Sequence, residues 1–253
     1  LIAEIEAFEK GYAEAAPWRL TSPMPDACRD MVVLPCEPGR GPKVVFSALD
    51  AKAADELEHR FAAAGHVVLS NARTHRMDPL VPLLIPEINA AHLGLLAEQR
   101  RVKGWPGAIV TNPNCATVVL AMALAPLRGF GIRRVQVTTL QAVSGAGYPG
   151  VPSLDILANV IPFIGGGEEE KIETEFGKIL GPDDGRSSHP AVVSAQVNRV
   201  PVIDGHLMTV SVELDARPGV DEVRAALQAF RGRPQELGLP SALCELIMQK
   251  RGL

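Results

Sequence analysis

The chain has 253 residues, of which 47% are hydrophobic, and a formal net charge of −4, so it can bury a substantial core as one large domain or two small ones. That weak negative charge gives no general reason to bind nucleic acid or an anionic membrane, and any anion site must be local. No apolar stretch reaches the roughly 20 residues that span a bilayer, the first residues carry Glu4, Glu6 and Glu9 instead of a basic signal region, and Cys28, Cys36, Cys115 and Cys244 form no C-x-x-C pair, so a reducing cytoplasmic setting without a metal site is expected.

Short apolar runs alternate with helical patterns in the first half. Strands are expected at Val44 to Leu49, His66 to Ala72, Val81 to Asn89 and Gly107 to Thr111, with a helix across Ala51 to Ala64. Strand, helix, strand separated by turn residues is the signature of a parallel, doubly wound sheet. The run TNPNCAT (Thr111 to Thr117) then places Cys115 at the start of an apolar helix, Ala116 to Leu127. Unpaired amides and the helix dipole favour negative charge there, which lowers a thiol pKa from its usual value of about 8.5. Cys115 is therefore a candidate nucleophile toward a carbonyl carbon; the alternative is an ordinary buried cysteine.

The second half is rich in β-branched residues. Strands are expected at Arg133 to Ser144, Ala191 to Val202 and Gly205 to Ala216, the last two joined as a hairpin by a tight turn at Ile203-Asp204-Gly205. Helices at Glu168 to Leu180, stopped by Gly181-Pro182, and at Val220 to Phe230 would cover one face of an antiparallel or mixed sheet. The segment Pro182 to Pro190 is the expected mobile loop.

TNPNCAT is followed by LQAVSGAGYPG (Leu140 to Gly150), GGGEEEK (Gly165 to Lys171) and NRVPVIDGH (Asn198 to His206). Together, from about Tyr12 to about Ile247, these motifs resemble the aspartate-semialdehyde dehydrogenases, particularly their archaeal and fungal branch. The resemblance implies an α/β fold: a partial Rossmann-like parallel-sheet domain (1–114) followed by an α+β catalytic and dimerisation domain with a mixed sheet (115–253). It implies reversible, NADP-dependent reductive dephosphorylation of β-aspartyl phosphate to aspartate semialdehyde, in amino-acid biosynthesis, by a cytoplasmic homodimer or homotetramer associating through the second sheet.

The same resemblance assigns roles to residues. Cys115 would form a thioester after expelling phosphate, Gln141 would orient the intermediate, and His206 would shuttle the proton. Arg199 would grip the substrate carboxylate through its planar guanidinium, lying near His206 across the hairpin. Glu168 would hold the α-ammonium and Lys171 the phosphate, the two being three apart on one helix face. Glu169 and Glu170 compete with Glu168, and the whole run with Glu173 and Glu175 is otherwise a solvated helix face. Arg76 would contact the phosphate, with Arg73 as its competitor. Asn114 would donate to the developing oxyanion beside the Cys115 N–H, and it could equally cap the helix, as could Asn112; the two roles are compatible at one position.

Two family features are missing. No glycine-rich pyrophosphate-binding turn precedes Val44, and the C-terminal helix that closes over the nicotinamide is not found before Leu253. The remaining cofactor candidates are Ser47, Ala48, Asn71, Ser144 and Gly145. Loss of the first βαβ unit is expected to leave a neighbouring strand edge exposed, and the 253 residues read as part of a longer enzyme. Malonyl-CoA reductase, which uses the same thioester logic, is the alternative enzyme, and a truncated non-catalytic partner subunit is the alternative from another class.

Overall fold

The computed structural model describes residues 10–16, 18–240 and 242; Cys244 and Ile247 lie outside them. The first sheet is parallel, in the order β1 (Val44–Ser47), β2 (Val67–Ser70), β3 (Ala108–Thr111). Helix α1 (Ala51–Ala63) connects β1 to β2 and is started by Asp50, whose Oδ1 accepts the Lys52 and Ala53 N–H groups at 2.9 and 3.1 Å. Helix α2 (Leu95–Lys103) leads into β3, and its buried Gln99 both donates to and accepts from the Ile109 backbone. The outer edge of β1 pairs with no strand among the described residues, and Phe46 on it is 81% exposed. An exposed strand edge in this sheet is what the sequence led us to expect.

The strand expected at Val81 to Asn89 does not form. Leu83 makes a single parallel bridge to Thr111, and Pro86–Asn89 then turns into a short helix. Pro82 and Pro86 have no N–H to give a ladder, and Asn89 occupies the ladder groups instead: its Oδ1 accepts the Ile85 N–H and its Nδ2 donates to the Leu83 carbonyl.

The second sheet has the order β5 (Ile161–Pro162), β6 (Val192–Arg199), β4 (Ile132–Gln141), β7 (His206–Leu214). The expected hairpin between β6 and β7 is corrected here. The two strands lie on opposite sides of β4, β6 parallel to it and β7 antiparallel. Residues 200–205 cross the end of β4 instead of making a tight turn: the Val200 N–H bonds the Gln141 carbonyl, and the Ala142 and Val143 N–H groups bond the Gly205 and Val202 carbonyls. A crossing of that width satisfies the end of β4, which a two-strand hairpin would leave unpaired.

Helix α3 (Cys115–Leu124) and helix α4 (Glu168–Ile179) pack on the inner face of this sheet, while α5 (Val220–Ala229) packs beside the 3-10 segment Ala125–Phe130 that follows α3. Leu120, Leu124, Ile172, Phe176, Val135, Val137 and Val197 form one core that also takes in Leu83 and Ile85 from the first half. Burying a side chain such as Phe176 contributes about 1.5–3 kcal/mol. The two halves therefore share a core, and α4 stands at their junction. The loop expected to be mobile, 182–190, is anchored: the His92 ring bonds the Pro182 carbonyl, Arg186 pairs with Glu98, and the His189 N–H bonds the Gly177 carbonyl.

Candidate active site

Strand β3 ends at Thr111, and after the three residues 112–114 the chain starts α3 at Cys115. Asn114 is the helix cap: its Oδ1 accepts the Ala116 and Thr117 N–H groups at 2.9 and 3.3 Å. Its Nδ2 donates to Glu168 Oε2 at 2.9 Å.

Three strand ends meet the nucleophile. Gln141 on β4 is the register partner of Arg199 on one side and of His206 on the other, and directly paired strand residues project from the same face. Arg199 and His206 are thus close because both flank Gln141, not because a turn joins them. Gln141 and Arg199 are 1% and 5% exposed, and Arg199 Nη1 donates to the Ala142 carbonyl at 2.8 Å. His206 Nδ1 lies 2.8 Å from the Gly205 carbonyl, which can only accept, so Nδ1 carries the proton. Its Nε2 then faces the Cys115 Sγ at 3.2 Å as an acceptor. Gly145 closes over the pair, and a Cβ there would fall 2.8 Å from Arg199 Nη1 and 3.3 Å from His206 Cε1.

The acidic run on α4 is only partly a solvated face, with Glu170 and Glu173 exposed and the others turned inward. Glu168 reaches Asn114 and pairs with Lys171, whereas Glu169 and Glu173 accept the Val197 and Ala195 N–H groups of β6. Of the three adjacent glutamates, Glu168 is the one that borders the nucleophile. Glu175, which sequence reasoning left in the solvated face, is 2% exposed; its Oε2 accepts the Asn114 N–H at 2.7 Å. Its spacing of seven from Glu168, two helical turns on the same stripe, was the available signal. Lys178, also missed, is buried and donates to the carbonyls of Arg76, Asp78 and Val81; burial pushes its pKa down to about 8.

Arg76 and its competitor Arg73 differ in surroundings. It is buried, with Nη1 on Glu175 Oε1 and Nη2 on the Asn71 carbonyl, both at 2.8 Å. Arg73 is exposed and reaches the Gly166 carbonyl, two residues before Glu168. The Arg76 Nε is buried without a hydrogen-bond partner.

The thiol pKa is also corrected. Partial burial and then the Glu168 carboxylate push Cys115 up from the ordinary thiol value, outweighing the Ala116 and Cys115 N–H groups and Arg199, which pull it down. The thiol remains solvent-exposed, but the walls around it and Glu168 desolvate and oppose its charge.

The cofactor candidates divide. Ser47, Ala48 and Asn71 line a cleft of about 420 Å³ at the carboxyl ends of β1, β2 and β3, together with Thr111 and Asn112. Ligands of open parallel sheets bind at this end of the strands. Ser144 and Gly145 lie apart from that lining, on the Arg199 and His206 side. Ser47 Oγ is buried without a hydrogen-bond partner.

Residues 8–96 match the family model described as semialdehyde dehydrogenase, NAD binding domain, and residues 124–241 match semialdehyde dehydrogenase, dimerisation domain. The aspartate-semialdehyde dehydrogenase of Methanothermobacter thermautotrophicus is 49% identical over 247 residues, 96% of this chain and 71% of that protein. The chain belongs to the aspartate-semialdehyde dehydrogenase family. Among solved aspartate-semialdehyde dehydrogenases, the Candida albicans enzyme with NADP superposes with a TM-score of 0.82 at 39% identity, covering 93% of this chain and 70% of that one. The Vibrio cholerae enzyme II complexed with ASA gives 0.61 at 29% identity, covering 74% and 60%. Both the parallel NAD-binding sheet and the mixed dimerisation sheet of the aspartate-semialdehyde dehydrogenases are present here.

Proposed function

We propose that this chain carries the site for phosphate-dependent, reversible interconversion of aspartate semialdehyde and β-aspartyl phosphate, with NADP as cofactor. The observation that carries this reading is the 3.2 Å contact of Cys115 Sγ with His206 Nε2 beside the Gln141 and Arg199 row. His206 Nε2 takes the thiol proton as Sγ adds to the carbonyl carbon, and it returns a proton when the carbon–sulfur bond breaks. This answers the raised thiol pKa, because the proton is removed during attack and a standing thiolate is not required. Arg199 binds the substrate carboxylate, Glu168 its ammonium, and Gln141 orients the group on sulfur. An ammonium on Glu168 also offsets the charge that holds the thiol pKa up.

Lys171 and the exposed Arg73 hold phosphate in position to meet the acyl carbon. Ser47, Ala48 and Asn71 would hold NADP, with the unpartnered Ser47 hydroxyl as a direct contact, and NADP when bound supplies the hydride-accepting nicotinamide. The division between the two halves falls between Asn114 and Cys115, where the nucleotide sheet hands over to α3. A homodimer or homotetramer would form across the polar outer face of the second sheet, where Gln136, Thr138, Gln196, Thr209 and Ser211 lie open. The three described cysteines are unpaired, which fits a cytoplasmic enzyme.

The test is phosphate-dependent reduction of NADP by aspartate semialdehyde, with the Cys115→Ala variant as control. Turnover that requires both phosphate and Cys115 supports the reading; turnover of malonyl-CoA in its place would reassign the substrate.

A further inference from the structure

We propose that Glu175 is a positioning residue for the nucleophile, holding the Asn114–Cys115 backbone so that the thiol stays against His206 and the first turn of α3. The proposal rests on Cys115 being the reacting group of the reaction above. As the cap, Asn114 has an N–H that points away from the helix and finds no partner inside it. Asn114 is buried, so this N–H needs an acceptor from elsewhere, and Glu175 Oε2 supplies one at 2.7 Å.

The carboxylate that does this comes from another helix and never touches the pocket. Its second oxygen is matched by Arg76, which in turn holds the Asn71 carbonyl. One stripe of α4 grips the nucleophile's approach twice, with Glu168 on the Asn114 side chain and Glu175 on its backbone, while Lys178 fastens the same helix to residues 76–81. A purely structural contact in this place needs no charge, because apolar side chains of similar volume often replace a buried ion pair without loss of stability. The Ala116 and Cys115 N–H groups stabilise the Cys115 thiolate, so letting the backbone turn away would weaken both of them and the His206 contact.

The measurement is the rate of Cys115 alkylation by iodoacetamide as a function of pH on the full-length protein, followed on the Cys115 peptide by mass spectrometry. Two double variants are compared, R76M/E175Q and R76M/E175M. Both lack the ion pair; only the first keeps an oxygen for the Asn114 N–H. The expected result is alkylation at neutral pH about tenfold slower in the E175M form than in the E175Q form, with its midpoint displaced to higher pH by about one unit. The value of kcat should fall in parallel, with a smaller change in KM. Identical profiles at equal thermal midpoints would overturn the proposal. If the E175M form does not fold, E175D decides: it keeps the charge but is one methylene short, and a wild-type alkylation profile in that variant also overturns the idea. Alkylation needs no cofactor or substrate, so absence of turnover in the wild type would sink the functional reading without touching this result.

Discussion

The surroundings of Cys115 and the cleft at the ends of β1, β2 and β3 are built on opposite plans. Around Cys115 most polar groups are matched, Thr117 Oγ1 and Arg76 Nε excepted: Asn114 caps α3, Glu175 takes the Asn114 N–H, Glu168 meets Lys171, and His206 meets the thiol. In the cleft, Ser47 Oγ is buried without a partner, and Phe46 on the neighbouring open edge is 81% exposed. Cys115 is thus held by side chains from two helices and a strand, whereas the first sheet presents an open edge beside its cleft.

The largest expected effect is on the matched side. His206→Asn, which keeps the ring's approximate size but removes the base, should lower kcat by about 10²–10⁴-fold, with a smaller change in the KM for aspartate semialdehyde. A similar loss in KM alone would show that His206 only binds.

The next effect separates two arginines three residues apart. Arg76→Leu removes one partner of a buried pair and should cost about 3–5 kcal/mol, read as a lower urea midpoint. Arg73→Ala should leave that midpoint within about 0.5 kcal/mol while raising the KM for phosphate. The reverse pattern would restore Arg76 as the phosphate contact.

On the unmatched side, Ser47→Ala removes a hydroxyl that bonds nothing in the protein. Stability should be unchanged or slightly higher, and the Kd for NADP should rise about fivefold for a lost hydrogen bond of about 1 kcal/mol, measured by fluorescence titration. An unchanged Kd would mean that the free hydroxyl serves no cofactor.

The smallest effect concerns the charge beside the thiol. Because Glu168 raises the Cys115 pKa, Glu168→Gln should lower it, moving the alkylation midpoint to lower pH and speeding alkylation at pH 7 by about two- to fivefold. The same variant should bind aspartate semialdehyde more weakly. A midpoint displaced to higher pH would show that Glu168 acts through the Asn114 cap and not through its charge.

Much of this site is legible in the residues. Cys115 at a strand-to-helix junction follows from one apolar run ending, an Asn-Pro-Asn break and another apolar run beginning, and α4 and α5 run close to their expected bounds. The four motifs carried the family, and with it Gln141, Arg199 and His206. What could not be read is how they meet. Strand pairing is a relation between distant segments, and the Ile203-Asp204-Gly205 turn reads as a hairpin until β4 is seen to lie between its arms. In the same way, an acidic helix face looks solvated until β6 offers its N–H groups and Asn114 its own.

The sequence by itself determined most of the elements, the place of Cys115 at a helix start and the family, because hydrophobic period, turn residues and motif spacing are local properties of the chain. Only the tertiary structure decided which charges are spent inside the protein and which are free. Arg76 and Arg73 have the same chemistry in the sequence, and they differ because Arg76 is buried beside the Glu175 carboxylate whereas Arg73 is exposed.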